Sequence, residues 1–526
     1  MFASFMVRRQ VGDEAIEART IAFRWANHYK LRAMKDCKRS TASRLGLELN
    51  SPASPQGGGM LAKTQRLTTL FGLLLVMASL NCKGKQDGSG EQIDQTDAAA
   101  ALSSVAQAEK APVKYRLDFS QVAANRVLVE AHFQKKSGVA LKLFMPVWTP
   151  GSYKVRDYSK HIETIDALTL EGKAVALRKV KKNEWETPTD DHNHIVVRYT
   201  LYARQMTVRT NYVDRIRAIL NGAPTFITAR GYEDKAHLVE LVVPEEWQGS
   251  ITALPRPTDA PNVYLARNHD ELVDSPIVAG NPRNFEFQVG SKDFTLAFIG
   301  LGKYWDPEGA MTDVRDIVRE VHKFWDTPPP FEEKYVFLNV LTDDIWGGLE
   351  HDSSTLLMTP RWSYRDREDY FNWLTLVTHE YFHLWNVRHL RPQELSDYDY
   401  DKENYTSLLW VAEGFTSYYD NLLPLRAGLS SRKEFFKDLG RRIKDVELTP
   451  GAKIQPVAES SFDAWIKYYQ RHENSINTTI SYYSKGAAIA LLLDARIRQA
   501  TGNQRSLDDV MRKLYREHYP AGLTRR

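Results

Sequence analysis

The run 376–385 (LVTHEYFHLW) holds side chains that could bind a metal and activate water. His379 and His383 are four residues apart, so on a helix they project from one face on successive turns. Two imidazoles placed in this way can bind one Zn²⁺, and Glu380 beside the first can polarise a water there. The alternative is that both histidines are core or surface residues of an amphipathic helix.

A third metal ligand is expected from the run 410–419 (WVAEGFTSYY), which is predicted to be a mostly apolar helix. Catalytic zinc sites use three protein ligands and keep a fourth position for water or substrate. Glu413 is a lone carboxylate among bulky residues, and an unpaired buried carboxylate is costly. A metal would be a suitable partner, and a salt bridge to Arg388 or Arg391 is the alternative. Ser417, one turn beyond, could orient a ligand.

The segment WGGLEH contains two glycines and a carboxylate directly after a predicted strand at 335–341. Gly347 and Gly348 at a strand edge would let a peptide backbone approach closely. Glu350 would then be placed to hold the free α-amino group of a substrate. A simple turn is the alternative explanation of the glycine pair.

Two adjacent tyrosines, Tyr482 and Tyr483, open another predicted helix. A phenol at this position could donate a hydrogen bond to the oxyanion of a tetrahedral intermediate. Packing is the ordinary role of an isolated tyrosine, and it stays the alternative here.

The elements that must position these residues change in character along the chain. Residues 113–290 alternate apolar and polar positions in short runs broken by Pro and Gly, which predicts an all-β, sandwich-like domain. Residues 291–526 begin with strands and a helix at 312–326 and are then mostly helical. Three residues of the first domain could face a substrate cleft or simply pack: Tyr153, Arg156 and Tyr158.

The amino-terminal region has the layout of an export signal. A 14-residue apolar run at 67–80 follows Lys63 and Arg66 and is too short to span a bilayer comfortably. We expect a secretory signal peptide at 60–82, ending in a sequence that resembles a bacterial lipobox, with Cys82 as the acylated residue. Asn81 departs from the usual small residue, so plain secretion is an alternative, as is a buried core helix.

The flanking segments follow from this interpretation. Residues 1–59 precede Met60, where we expect translation to start, so they are a mis-annotated or disordered extension. Residues 83–112 are polar and rich in small residues and are predicted to be a flexible linker. The expected location is therefore the periplasm or cell envelope of a bacterium, with a possible lipid anchor on the membrane.

Charge and cysteine content exclude several classes of protein. The net charge is +4, and residues 1–59 contribute ten Lys/Arg and five Asp/Glu, so residues 60–526 sum to −1. A nearly neutral chain has no global field for a polyanion, which argues against nucleic-acid binding. Cys37 and Cys82 are the only cysteines, so a metal must bind to histidines and carboxylates.

Taken together, these segments resemble the gluzincin metallopeptidases, most closely the glycyl aminopeptidase family. The resemblance is carried by GGLEH, HEYFHLWNVRHLRP and WVAEGFTSYY, and by residues 145–162 and 209–226. It implies a multidomain protein with an N-terminal β domain and a thermolysin-like, α+β but mostly helical catalytic domain. The family continues into a PDZ domain, so we expect a catalytic domain truncated at Arg526.

The resemblance also implies a role for each candidate residue. Glu380 would be the general base, Glu350 the group that binds the substrate amine, and Tyr483, rather than Tyr482, the transition-state tyrosine. The implied zinc ligands are His379, His383 and Glu413. The implied function is a zinc aminopeptidase that acts on peptides with N-terminal Gly or Ala. A zinc endopeptidase and a catalytically impaired, surface-anchored peptide-binding protein are the alternatives.

Overall fold

The computed structural model describes residues 111–332, 334–519 and 521–523. The predicted extension at 1–59, the signal peptide at 60–82 with Cys82, and all but the end of the linker at 83–112 lie outside these residues and stay predictions. Within the part of the chain that the structure describes, no helix is long and apolar enough to cross a membrane.

The first part of the described chain forms three β-sheets. A seven-stranded sheet has the order β14-β12-β1-β2-β8-β4-β5, and two four-stranded sheets have the orders β13-β15-β10-β9 and β11-β3-β7-β6. One short helix, α1 (His269–Val273), lies between β14 and β15. The strands are β1 Val113–Asp118, β2 Arg126–Gln134, β3 Lys142–Phe144, β4 Ile162–Leu168, β5 Ala174–Val175, β6 Arg178–Lys181, β7 Glu184–Glu186, β8 His194–Tyr202, β9 Tyr212–Val213, β10 Ala218–Leu220, β11 Thr228–Ala229, β12 His237–Val242, β13 Gly249–Ile251, β14 Val263–Ala266 and β15 Ile277–Gly280.

The alternating sequence explains why these strands enclose a core. In β1 every second residue is buried, beginning with Val113, and β2 shows the same pattern. Successive side chains of a strand point to opposite faces, so one face of each strand supplies the core. The buried faces of the three sheets contribute to one large apolar cluster. The prediction of an N-terminal β domain is confirmed.

The remaining strands form one mixed five-stranded sheet with the order β16-β17-β18-β20-β19. Strands β17, β18 and β20 are parallel, whereas β16 and the edge strand β19 are antiparallel to their neighbours. These strands are β16 Arg283–Val289, β17 Lys292–Ile299, β18 Lys334–Thr342, β19 Gly347–Glu350 and β20 Ser354–Pro360. The hairpin β16–β17 spans residue 290, so the change from the β domain to the catalytic sheet lies before Arg283 rather than near 290.

The carboxy-terminal part is mostly helical, as the sequence predicted. The long helix expected at 312–326 begins earlier, at Pro307, because Asp306 caps its first turn by accepting a hydrogen bond from the Gly309 N–H. The helices are α2 Pro307–Trp325, α3 Arg367–Phe382, α4 Leu409–Arg426, α5 Arg432–Leu448, α6 Val457–Phe462, α7 Ser475–Thr478, α8 Tyr482–Ala500 and α9 Leu507–His518.

The five-stranded sheet is buried on both faces. Phe337 of β18 packs in a cluster with residues of α2 and α3 on one face. Val336 and Leu338 point the other way and pack against Ile219 and Val278 of the β domain. Strands covered on both sides read as continuous apolar runs, which is why 335–341 (YVFLNVL) lacks alternation. This packing joins the two domains along the sheet that carries the edge strand β19.

Two glycines allow helices α4 and α8 to approach closely. A Cβ added at Gly414 would lie 2.5 Å from the Cα of Gly486, and one at Gly486 would lie 2.8 Å from the Cα of Gly414. Because neither residue has a side chain, the two backbones can touch at this crossing. Glu413 precedes the first of these glycines and Tyr483 lies in the first turn of α8, so the crossing determines how these two side chains approach each other.

Candidate active site

Helix α3 carries the first candidate ligands at its carboxy-terminal end. Its first turn is capped by Asp366, whose carboxylate accepts hydrogen bonds from the N–H groups of Glu368 and Asp369. The helix ends at Phe382, but His383 keeps helical dihedral angles (φ −61°, ψ −20°). The spacing of one turn therefore holds, and the two imidazole rings of His379 and His383 lie 4.5 Å apart between centroids.

The structure brings the three predicted metal ligands together. Glu413 Oε2 lies 3.1 Å from His383 Nε2 and 3.4 Å from His379 Nε2. All three side chains are buried or nearly so, and their ligand atoms lie within 4.8 Å of one another. The alternative of a salt bridge from Glu413 to an arginine is wrong for Arg388, whose guanidinium pairs with Asp274 and Asp352. Arg391 donates its hydrogen bonds to backbone carbonyls.

The hydrogen-bond partners of the two Nδ1 atoms determine which ring nitrogens of His379 and His383 can bind a cation. His383 Nδ1 donates a hydrogen bond to the Asn386 carbonyl at 2.7 Å, and His379 Nδ1 donates to Asp420 Oδ2 at 2.9 Å. A neutral imidazole has one N–H, so each Nε2 is left with a bare lone pair. When both rings are neutral, these two lone pairs and Oε2 of Glu413 converge on one point. Such a donor set fits a metal ion. A histidine that binds a metal through one ring nitrogen usually donates the N–H of the other to a carboxylate or a backbone carbonyl, as both rings do here.

Asp420 is a site residue that sequence reasoning missed. It lies on α4 seven residues after Glu413, two turns along the same face, and that spacing is the signal that could have revealed it. Ser417, the residue considered for this role, lines the cleft one turn beyond Glu413, but His379 Nδ1 contacts Asp420. The second oxygen of Asp420 accepts a hydrogen bond from Arg442 Nη2 at 3.0 Å, so α5 holds the carboxylate in position.

The electrostatics of the three ligands are consistent with a cation between them. Burial alone would raise the pKa of Glu413, but the two imidazoles lower it to about 2. Burial likewise opposes protonation of His379, yet its contacts with Asp420 and Glu413 raise its pKa to about 10. Each shift favours the state in which positive charge lies beside the Glu413 carboxylate.

Glu380 points into the cleft and lies directly against the edge strand. A Cβ added at Gly348 would lie 2.1 Å from Glu380 Oε1, so only a glycine leaves room for this carboxylate. Burial raises the pKa of Glu380 to about 7. The glycine pair is thus part of strand β19 and not a simple turn, and one of its functions is to accommodate Glu380.

Glu350, at the end of β19, is a buried carboxylate with an unused oxygen. Its Oε1 has no hydrogen-bond partner among the described residues. Gly151, in a left-handed conformation (φ +79°), packs against it, and a Cβ there would lie 2.6 Å from Oε2. Ligand atoms of Glu350, Glu380 and His383 lie within 4.8 Å of one another. A cationic group bound to Glu350 would therefore lie next to the metal-binding atoms.

The structure separates the two candidate tyrosines. Tyr483 lines the cleft, and its ring stacks on His379 with the centroids 6.2 Å apart. Tyr482 is fully buried in an apolar cluster that also contains Tyr153. Of the three residues of the β domain that were considered for the cleft, Arg156 lines it. Tyr153 and Tyr158 are buried.

The three candidate metal ligands, together with Glu350, Glu380 and Tyr483, line one cleft of about 790 Å³. The β domain contributes Gly151, Arg156 and Arg209 to its wall, and the catalytic domain contributes the three candidate metal ligands. Arg209 is a second cleft residue that sequence reasoning did not single out, although it begins one of the segments that carried the resemblance. The arrangement can hold a metal ion, a proton acceptor and a cationic group within one enclosure.

Comparisons with known proteins agree with this architecture. The model of the M61 glycyl aminopeptidase family matches residues 372–489, and the Peptidase M61 N-terminal domain matches residues 114–281. The crystal structure of an aminopeptidase N family protein from Idiomarina loihiensis is 32% identical, with a TM-score of 0.74 over 78% of this chain and 70% of that chain. The chain belongs to the M61 glycyl aminopeptidase family. The resemblance stated from the sequence is confirmed, and the protein is a peptidase.

Two more distant structures were also found. The M1 zinc metallopeptidase from Deinococcus radiodurans is 12% identical, with a TM-score of 0.47 over 78% of this chain and 87% of that chain. Yeast LTA4 hydrolase is 12% identical, with a TM-score of 0.45 over 78% of this chain and 62% of that chain. Their similarity is too low to add to the argument. The comparison with curated protein sequences found no match.

Proposed function

We propose that this peptidase is a zinc-dependent aminopeptidase that removes small N-terminal residues from peptides. The observation that carries the proposal is the position of Glu350 beside the three converging ligand atoms. An unpaired buried carboxylate is costly unless a cation binds to it. The ammonium group of a peptide is such a cation, and it would place the first peptide bond at the metal-binding atoms.

The donor set proposed for the metal is Nε2 of His379, Nε2 of His383 and Oε2 of Glu413. A zinc ion bound there would polarise the scissile carbonyl and lower the pKa of a water molecule towards about 7. Asp420 and Asn386 keep the two rings in the tautomer and orientation that expose Nε2.

Glu380 is proposed as the general base. Its carboxylate accepts a proton from the attacking water and passes it to the nitrogen of the leaving amine. A proton acceptor works best when its pKa is near the working pH; burial raises the pKa of Glu380 to about 7 in the metal-free protein, and a bound dication would lower it from there. Gly348 leaves the space in which this carboxylate lies.

Tyr483 is proposed to bind the oxyanion of the substrate, and Glu350 its ammonium group. The Tyr483 hydroxyl donates a hydrogen bond to the oxyanion, a contribution worth about 3 kcal/mol for a typical donor. Glu350 binds the substrate ammonium, which positions the first peptide bond for attack. The preference for Gly or Ala rests on the description of the family as glycyl aminopeptidases.

The test uses the purified chain and a panel of chromogenic anilides of Gly, Ala and Leu. We expect one equivalent of zinc by atomic absorption, loss of hydrolysis with a chelator, and recovery on adding zinc. Faster hydrolysis of Gly and Ala substrates than of Leu supports the specificity. Bound zinc without turnover of any substrate would instead favour the impaired, peptide-binding alternative.

Export and lipid anchoring at Cys82 are also proposals, since they rest on the amino-terminal sequence alone. Labelling of the expressed protein with a radioactive fatty acid would detect acylation, and Cys82→Ala should abolish the label. Amino-terminal sequencing of the unprocessed precursor should begin at Met60. Peptides from residues 1–59 in native material would contradict that start site.

A further inference from the structure

Two arginines in the cleft lack the carboxylate partners that other cleft arginines have. Arg442 pairs with Asp420 and Asp438. By contrast, no carboxylate among the described residues pairs with Arg156 or Arg209 within 4.0 Å, although both side chains line the cleft. Arg156 donates a hydrogen bond to the Lys154 carbonyl at 3.2 Å, and the Tyr158 hydroxyl is its other polar neighbour. A guanidinium has five N–H donors, so most of the donors of this pair are unused.

The guanidinium of Arg209 makes few hydrogen bonds although part of it is buried. Its Nε is buried without a hydrogen-bond partner among the described residues, and its Nη2 makes one long contact, 3.5 Å, to the Gly348 carbonyl. The Tyr158 hydroxyl donates to the Arg209 carbonyl at 2.9 Å, which ties the segment that carries Arg156 to the segment that carries Arg209. Burial lowers the pKa of Arg209, but the tyrosines and the Glu380 and Glu350 carboxylates of the same cleft raise it, so its anionic neighbours lie beyond salt-bridge distance.

Two positive charges close together repel each other, and an anion bound between them offsets this repulsion. Burial lowers the pKa of Arg156, the neighbouring Tyr158 opposes this shift, and the charge of Arg209 adds to it, as expected for two guanidinium groups in one part of the cleft. Guanidinium donors in a cleft that have no carboxylate within 4.0 Å are available to bind an anionic ligand. A planar guanidinium pair is suited to a carboxylate, which it can bind in bidentate fashion.

The position of Arg209 along the edge strand indicates which part of a substrate would reach it. A Cβ added at Gly347 would lie 3.7 Å from Arg209 Nη1, and Gly348 lies against Glu380. Glu350 follows two residues later on the same strand. Along β19, the order is therefore the amine-binding carboxylate, then the proton acceptor, then the unpaired arginine.

This order fits an extended peptide that lies antiparallel to the outer edge of β19, the last strand of the five-stranded sheet. Glu350 lies two positions beyond Gly348 and three beyond Gly347, a span of about 7–10 Å at a rise of about 3.4 Å per residue. An extended peptide of two or three residues places its ammonium and its carboxylate at about the same separation.

We propose that Arg209 and Arg156 form a carboxylate-binding subsite downstream of the scissile bond, so that the enzyme prefers substrates with a carboxylate two or three residues from the free amine. This inference rests on the proposed aminopeptidase function and adds the substrate class. The carboxylate has two possible sources, the C-terminus of a di- or tripeptide and the side chain of an acidic second residue. The chemistry is the same for both.

Kinetics with matched substrates test the subsite. The first pair is Ala-Ala and its C-terminal amide, and the second pair is Ala-Asp amide and Ala-Asn amide. For the zinc-loaded full chain we expect kcat/KM to be at least tenfold higher for the carboxylate member of one pair. The pair that shows the difference identifies the source. Equal values within both pairs would overturn the proposal.

Substitutions of the two arginines test whether they cause the preference for carboxylate substrates over their amides. Arg209→Gln and Arg156→Gln should each reduce the acid-to-amide ratio at least fivefold, chiefly through KM, and Arg209→Lys should keep part of it. Arg215→Gln, a change at an exposed residue of the same domain, is the matched control and should leave the ratio unchanged. Losses of equal size on acid and amide would mean that the arginine only supports strand β19, and the subsite would be rejected.

A binding measurement keeps this inference separate from the proposed function. With the zinc-loaded Glu380→Gln chain, calorimetry should show tighter binding of the dipeptide than of its amide, and Arg209→Gln should remove the difference. This result would support the subsite even if no substrate is turned over, in which case the aminopeptidase proposal alone fails. Equal affinity for the dipeptide and its amide would overturn the subsite whether or not the enzyme is active.

Discussion

The carboxylate of Glu380 lies against the backbone of Gly348, so close that a β-carbon at residue 348 would be 2.1 Å from Oε1. Gly348→Ala should therefore displace the proton acceptor while leaving the metal-binding atoms in place. Since a misplacement of about 1 Å can cost about 100-fold in rate, we expect kcat to fall at least tenfold with zinc content unchanged.

The matched control for this change is Gly440→Ala in α5, where an added Cβ has nothing within 4 Å. Alanine in a helix is favoured over glycine by about 0.5–1 kcal/mol, so this variant should be as active as wild type and slightly more stable. A fully active Gly348→Ala enzyme would contradict the position given to Glu380.

The acid side of the pH profile should report on Glu380. Only the ionised carboxylate can accept a proton, so kcat/KM should rise with pH and fall as pH drops through the pKa. Burial raises this pKa to about 7 in the metal-free protein, and a bound dication favours the charged form and lowers it. The acid limb of the zinc enzyme is therefore expected below pH 7. Glu380→Gln should retain zinc, lose at least about 100-fold in kcat, and lose this limb.

Glu350→Ala should discriminate between substrates with a free and a blocked amino terminus. The variant removes the carboxylate proposed to bind the ammonium, so hydrolysis of a Gly anilide should fall at least tenfold more than hydrolysis of an N-acetylated peptide. The measurement is kcat/KM for both substrates with both enzymes. Equal losses on the two substrates would place the protein among endopeptidases.

Asp420→Asn should weaken metal binding rather than abolish the fold. The carboxylate accepts the Nδ1–H bond of His379, and loss of such a partner typically reduces metal affinity about 10–100-fold. Competition with a chromophoric chelator measures the affinity. Asp445→Asn, at an exposed position on α5, is the control and should bind zinc as wild type does.

Removal of the hydroxyl should lower activity at Tyr483 but not at Tyr482. Tyr483→Phe removes the proposed oxyanion donor and should lower kcat about 100-fold with little effect on stability. The hydroxyl of Tyr482 is buried and has no hydrogen-bond partner among the described residues, so Tyr482→Phe should be equally active and no less stable. Thermal unfolding and kcat of both variants decide the assignment.

Local patterns in the sequence predicted much of the fold and of the candidate site. The alternation in 113–290 indicated a β domain, since one face of each strand must be apolar. The spacing of His379 and His383 placed two imidazoles on one helical face. Asp306 before Pro307 is a local capping signal too, and it would have placed the start of α2 correctly.

Other features depend on segments that are distant in the chain. The crossing of α4 and α8 at Gly414 and Gly486 brings the elements that carry Glu413 and Tyr483 together, and no local rule fixes how two helices cross. The contact between Asp420 and Arg442 depends in the same way on how α5 packs against α4.

By itself, the sequence determined which side chains could bind a metal and which segments form strands or helices, because those properties depend on residue type and short-range periodicity. Only the tertiary structure decided that Gly348 makes room for Glu380 and that Arg209 lies in the cleft with no carboxylate within 4.0 Å. These relationships arise where the β domain packs on the sheet that carries β19. Burial and partnership are properties of that packing and not of any single segment.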